Sequence, residues 1–168
     1  MPGILVVCYS RTGTTRAVAV ALAKCLHADF EEIIEPVDRS GVLGYVRSIV
    51  DALLSRKGLI KPMRYDPAQY DVVVIGTPVW AGTMSTPVRS WLCRNRRELR
   101  RVAFFCTEHR RGEATAFKDL EKLAGKTPVA RCALPGNLRA QEEQRIIGLF
   151  ATRIERHLDR TREYEWMA

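Results

Sequence analysis

The sequence predicts an α/β domain, an open parallel β-sheet covered by helices on both faces. Two patterns predict it. Short apolar runs alternate with longer stretches of helical period, the signature of a βαβ chain. The strongest runs, "ILVVC" (Ile4–Cys8) and "DVVVIG" (Asp71–Gly76), are apolar almost throughout, as strands buried on both faces are. With 168 residues, 46% of them hydrophobic, the chain is long enough for one sizeable core and short for two domains, so residues 1–168 are expected to form one domain.

Ile4–Cys8 forms the first strand. Ala17, Val18, Ala21, Leu22 and Cys25 then share one stripe of a helix that begins near Gly13. Phe30–Ile34 is the second strand, ended by Pro36. Val42, Val46, Ile49, Val50, Leu53 and Leu54 recur at three- and four-residue intervals, which predicts a second amphipathic helix over 41–54. Asp71–Gly76 is the third strand, followed by the loop "TPVWAGTMSTP" and a short helix carrying Val88, Trp91 and Leu92. "VAFFCT" (102–107) is the fourth strand, and Ala114, Phe117, Leu120 and Leu123 mark the next helix. Pro128–Leu134, which opens with Pro and contains Arg131, suits a sheet edge. A last helix spans 141–158, and residues 159–168 are expected to fray.

No run approaches the ~18 apolar residues of a membrane span, and "MPGILVVCYS" lacks the basic opening of a secretory signal, so a soluble cytoplasmic protein is expected. Cys8, Cys25, Cys93, Cys106 and Cys132 are widely spaced with no C-x-x-C pair, which argues against a disulfide framework and a zinc site; they read as reduced thiols. The net charge of +8 comes from 27 Lys and Arg against 19 Asp and Glu, with Arg concentrated in "CRNRRELRR", "EHRRGE" and the last thirty residues. Such an excess favours acidic partners or phosphates, while any single cluster also fits a solvated face.

In open parallel sheets ligands sit beyond the carboxyl ends of the strands, which directs attention to residues 9–16, 77–87 and 106–113. The first of these, "YSRTGTTR", places four hydroxyl side chains around one Gly where a strand gives way to a helix. The N–H groups of a helix start are unpaired and its dipole is positive there, so a phosphate can be held without a cationic side chain. Ser10, Thr12, Thr14 and Thr15 add donors, and Gly13 permits close backbone approach. The competing reading, a helix cap, accounts for one hydroxyl and not for four. Neither G-x-x-x-x-G-K-[ST] nor G-x-G-x-x-G is present, which excludes a nucleoside triphosphate loop and a dinucleotide fingerprint. No acidic cluster marks a phospho-accepting receiver domain. A cysteine phosphatase loop needs Arg six residues after Cys, where Cys8 has Thr14 and Cys106 has Gly112.

These residues resemble the flavodoxin family. "SRTGTT" is similar to its phosphate loop, [ST]-x-T-G-x-T, and "GTPVWAGTMSTPV" to its second flavin-embracing loop. The resemblance covers essentially the whole chain, of the short type. It implies a three-layer α/β/α fold with a five-stranded parallel sheet in the order 2-1-3-4-5 and flavin mononucleotide (FMN) at the switch between the first and third strands. It implies that Ser10, Thr12, Gly13, Thr14 and Thr15 hold the FMN phosphate, with Arg11 and Arg16 either assisting or facing water. Thr77, Pro78, Val79, Trp80, Ala81 and Gly82 would follow the ribityl chain and ring, with Trp80 against the ring face unless it is simply buried against Pro78 and Pro87. Backbone groups of Thr107, Glu108 and His109 would meet the pyrimidine edge, His109 serving as a proton carrier or as an exposed loop residue. Cys106 has no partner cysteine and reads as packing.

The expected function is electron transfer through the bound flavin with an acidic redox partner. The basic charge departs from the acidic pattern of most flavodoxins and, placed near the ring, would raise the flavin potential. An alternative on the same fold is an NAD(P)H-dependent quinone or flavin reductase, with Arg110, Arg111 or the arginines of 94–101 meeting the nucleotide phosphates. A further alternative is a flavin-free basic interaction domain. Nucleic acid is disfavoured as a partner because aromatic residues do not interleave with the basic runs.

Overall fold

The structure is a computed structural model and describes residues 3–36, 60–108 and 112–167. Its elements in chain order are β1 (Ile4–Cys8), α1 (Thr14–Leu26), β2 (Asp29–Glu32), β3 (Val72–Trp80), β4 (Thr83–Met84), α2 (Thr86–Asn95), β5 (Arg101–Glu108), α3 (Glu113–Ala124), β6 (Arg131–Pro135) and α4 (Ala140–Met167). A single 3₁₀ turn, Pro67–Gln69, leads into β3. The helix expected over 41–54 lies outside the described residues, as do His109, Arg110 and Arg111.

The strands pair in the order β2-β1-β3-β5-β6, all parallel, and β4 adds a short antiparallel pair to the end of β3. With β4 set aside, this is the 2-1-3-4-5 order. Alternation along each central strand sends side chains to two cores. Leu5, Val7, Val73, Ile75, Val102 and Phe104 join Val88, Trp91 and Leu92 of α2 and Phe117 and Leu120 of α3. Val6, Cys8, Val72, Val74, Ala103 and Phe105 join Val18 and Leu22 of α1 and Phe150, Ala151 and Ile154 of α4. Two apolar layers explain why β1 and β3 read as unbroken runs. Burying side chains such as Leu5, Leu92 or Ile154 contributes about 1.5–3 kcal/mol each.

Gly76 marks the centre of the sheet. It pairs with Cys8 on one side and Phe105 on the other, and a Cβ there would come within 2.0 Å of the Phe105 ring. The glycine therefore lets the ring cross the strand.

The structure corrects the expected elements in four places. β3 does not stop at Gly76 but continues to Trp80, so most of the expected loop is a hairpin. β1 ends at Cys8, opposite Gly76, so Pro78 lies where β3 keeps only β5 as its neighbour, a position that tolerates the missing N–H. β2 covers Asp29–Glu32 and not 30–34; beyond it Ile33 is buried and its N–H donates to Cys8 O (2.7 Å). β6 begins at Arg131, although Val129 N–H already donates to Val102 O; as expected, it is an edge strand. α4 ends at Met167 and not at 158; residues 159–167 hold no Gly or Pro to stop it and carry an Arg162–Asp159 ion pair one turn apart (3.7 Å).

Candidate functional site at the β1/β3 switch

The chain leaves β1 toward β2 on one side and returns to β3 on the other, so strand order reverses between β1 and β3. α1, after β1, packs on one face of the sheet, and α2, after the β3–β4 hairpin, packs on the other. At a switch point of this kind the starts of the two helices diverge and a ligand crevice opens at the carboxyl ends of the strands.

The first wall of the crevice is the loop from Tyr9 to Gly13. Gly13 has φ +93° and forms the N-cap of α1, with no side chain capping the helix. The capping alternative therefore does not account for the hydroxyl cluster. Ser10 Oγ instead accepts the Gly13 N–H (3.1 Å), which folds the loop on itself and leaves the Ser10 proton available. Thr12 and Thr14 are exposed, their hydroxyl oxygens 3.5 Å apart. The first bond within α1 runs from Ala17 N–H to Gly13 O, so helix geometry gives the N–H groups of Thr14, Thr15 and Arg16 no acceptor in the helix. No acidic residue occupies the first turn, in contrast to α3 with Glu113 and α4 with Glu142 and Glu143. The positive end of α1 is thus not neutralised by its own side chains. Arg16 pairs with Glu32 (3.3 Å), so its charge is directed to the end of β2. Thr15, 2% exposed, behaves differently from its neighbours: its Oγ1 lies 2.7 Å from Thr107 Oγ1 at the end of β5.

The hairpin forms the second wall. Trp80 pairs with Thr83, leaving a two-residue turn of Ala81 (φ +49°) and Gly82 (φ +77°). Two positive φ values in succession are those of a type I′ turn, which matches the twist of a tight hairpin. Thr77 is fully buried; its Oγ1 accepts the Ser85 N–H (2.9 Å) and sits 2.9 Å from Pro78 O, so its hydroxyl clamps the hairpin stem. Val79 pairs with Met84 and is partly buried against the core. Trp80 is 7% exposed and meets Tyr9 edge-to-face, with ring centroids 5.6 Å apart and planes at 87°. The ring that Trp80 meets is that of Tyr9. Outside the stem, Thr83 Oγ1 donates to Asp119 Oδ2 (2.5 Å) of α3 and accepts from Arg89 of α2 (3.2 Å).

The third wall is the end of β5. Thr107 pairs in register with Pro78 and Leu134. Glu108 Oε2 is buried with no hydrogen-bond partner among the described residues, and burial together with the neighbouring Glu113 carboxylate holds the Glu108 pKa above its ordinary value. Gly112, which begins α3, stands against the hairpin turn: a Cβ there would lie 2.9 Å from Gly82 Cα and 3.0 Å from Val79 Cγ1. Cys106 is buried and its pKa is raised by burial, consistent with packing. Among the described residues no cluster of three or more His, Cys, Asp or Glu is placed to hold a metal ion.

The structure thus brings Ser10, Thr12, Gly13, Thr14, Thr15, the 77–82 segment, Thr107 and Glu108 to one end of the sheet. Sequence reasoning assigned no part to Tyr9, Ser85 or Gly112. Tyr9 carried a usable signal, being an aromatic residue directly after a buried strand, whereas Ser85 and Gly112 are recognised only through contacts across the fold. The arginines of 94–101 are elsewhere. α2 runs back from the crevice and β5 starts at Arg101, so they lie at the opposite pole, about 23 Å away along an eight-residue strand. They are too distant to meet a ligand in the crevice.

The described elements define a doubly wound α/β protein whose switch point carries a helix start without acidic side chains. Comparison with solved structures makes the fold specific: it is flavodoxin-like. It is similar to a flavoprotein from Lactobacillus acidophilus solved in complex with FMN, with TM-score 0.70 and 20% identity over 79% of this chain and 93% of that one. A WrbA-like flavodoxin protein from Agrobacterium tumefaciens gives TM-score 0.60 and 14% identity over 94% and 99% of the two chains. A flavodoxin from Streptococcus pneumonia TIGR4 gives 0.59 and 13% over 92% and 98%. No family model and no curated protein matches the sequence.

Proposed function

We propose that this chain binds FMN at the β1/β3 switch and acts as a redox protein that passes electrons through it. The observation that carries the reading is the start of α1: exposed hydroxyls, a positive-φ glycine with open space where a Cβ would point, and a first turn free of acid. Neutral donors at a helix N-terminus suit a dianionic phosphomonoester. The N–H groups of Thr14, Thr15 and Arg16, with the hydroxyls of Ser10, Thr12 and Thr14, hold the phosphate. Glu108 Oε2, buried with no hydrogen-bond partner among the described residues, suits an N–H on the polar edge of the flavin ring. The Ala81–Gly82 turn presents its peptide groups on the hairpin side, while Tyr9 and Trp80 hold water away from the crevice floor. The likeness to a flavoprotein solved with FMN supports the assignment. When bound, FMN supplies the reversible electron chemistry and the chain supplies binding, orientation and electrostatics.

Titration of the purified protein with FMN, followed by flavin fluorescence and calorimetry, tests this. Quenching with saturable heat is expected; no heat and no change in the flavin spectrum would overturn it. The reductase alternative loses the arginines of 94–101, which stand at the far pole.

A further inference from the structure

Thr15 and Thr107 are 92 positions apart in sequence, yet their hydroxyl oxygens lie 2.7 Å from each other, with both residues buried. The first is the second residue of α1; the second belongs to β5, fixed by pairing on both sides. Each hydroxyl has one proton, and the hydrogen bond between them uses only one. The direction of that bond decides which hydroxyl has a proton to spare. An anion at the start of α1 favours one direction: Thr107 donating to Thr15 Oγ1, and Thr15 donating onward. The two bonds then polarise each other in the same sense.

We propose that Thr107 is a positioning residue for the phosphate of the bound flavin nucleotide, donating its proton to Thr15 Oγ1 so that the Thr15 proton is aimed at the anion. The inference rests on the FMN reading of the crevice. It gives Thr107 a side-chain role at the phosphate, distinct from any backbone contact with the ring. It also ties the cradle on α1 to the rigid ladder of the sheet, which limits how far the loop moves when the anion is absent.

FMN and riboflavin share the ring and ribityl chain and differ by the phosphate, so the ratio of riboflavin Kd to FMN Kd isolates the phosphate contribution. In Thr107→Val, which keeps the shape and loses the hydroxyl, this ratio is expected to fall about fivefold, in line with the net worth of one hydrogen bond. Thr107→Ser restores it. In a Thr15→Val background, Thr107→Val has no further effect on the ratio. A ratio that keeps its wild-type value while both affinities drop together overturns the proposal, as does an equal effect of Thr107→Val with and without the Thr15 hydroxyl. Wild-type protein that binds neither flavin instead removes the FMN reading, and this assignment falls with it.

Discussion

At the residue scale, Glu108 shows how one side chain registers its surroundings. Its carboxyl is disfavoured as an anion first by burial and then by Glu113. The folded protein therefore holds a proton on Glu108 at pH values where the unfolded chain has released it. By linkage, the stability this contributes is present at low pH and is lost as pH rises out of the ordinary carboxylate range through the raised folded pKa. Glu108→Gln removes that loss. Urea midpoints measured across a pH series should show the wild type declining over this window and the variant staying flatter, with the variant gaining relative stability at neutral pH. Parallel profiles would show that Glu108 titrates as it does in the unfolded chain. A ligand N–H at Oε2 would favour the carboxylate, so occupancy of the crevice and the Glu108 proton oppose each other.

At the element scale, the β3–β4 hairpin is the part of the crevice most exposed to local conformational cost. Ala81 holds φ +49°, where its Cβ crowds the backbone, and it is solvent-exposed, so no packing requires Ala there. Asn tolerates this region better, and Asn-Gly is the favoured pair for a type I′ turn. Ala81→Asn is expected to stabilise the protein by about 0.5 kcal/mol, read from the denaturant midpoint at unchanged slope; a loss of stability would contradict the turn assignment. The hairpin is held from both flanks. The Thr83–Asp119 and Arg89–Thr83 bonds tie it to α3 and α2, and Gly112 lets α3 start against Gly82 without a side chain between them. The adjoining α2 and the sequence-distant α3 thus fix one wall of the site together.

At the scale of the whole molecule, the arginine cluster of 94–101 stands apart from the candidate site. The arginines at 94, 96, 97, 100 and 101 gather where α2 ends and β5 begins, with Arg100 paired to Asp71 (3.3 Å), while the crevice lies at the other end of the sheet. A distance of about 23 Å is nearly three Debye lengths at physiological salt, at ~8 Å each, so these charges act weakly on a flavin in the crevice. The potential shift expected from net charge alone is therefore not supplied by this cluster. Under the FMN assignment, reversing two charges with Arg96→Glu and Arg97→Glu is expected to move the flavin midpoint potential by less than about 5 mV in 0.15 M salt. A shift of tens of millivolts, measured by spectroelectrochemical titration, would place those arginines near the ring. Among the described residues no helix is long and apolar enough to cross a membrane.

The sequence by itself determined the fold class, β1 as found, the buried start of β3 and the place where the hydroxyl cluster opens α1. Each of these is written locally: burial on both faces leaves an unbroken apolar run, and a helix start with an anion-receptive loop needs its small polar residues within a few positions of one another. Even here the reach of local pattern is short. Gly76 closes an apolar run and looks like a strand end, yet its neighbour across the sheet, Phe105, is what requires glycine, and β3 continues past it. Only the tertiary structure decided that Thr15 meets Thr107, that Trp80 lies buried beside Tyr9, that Gly112 abuts Gly82 and that the arginines stand away from the crevice. Periodicity states which face of an element is buried and is silent on which residue of a distant element it meets; that is settled by strand order and register, which the chain adopts only when both cores close together.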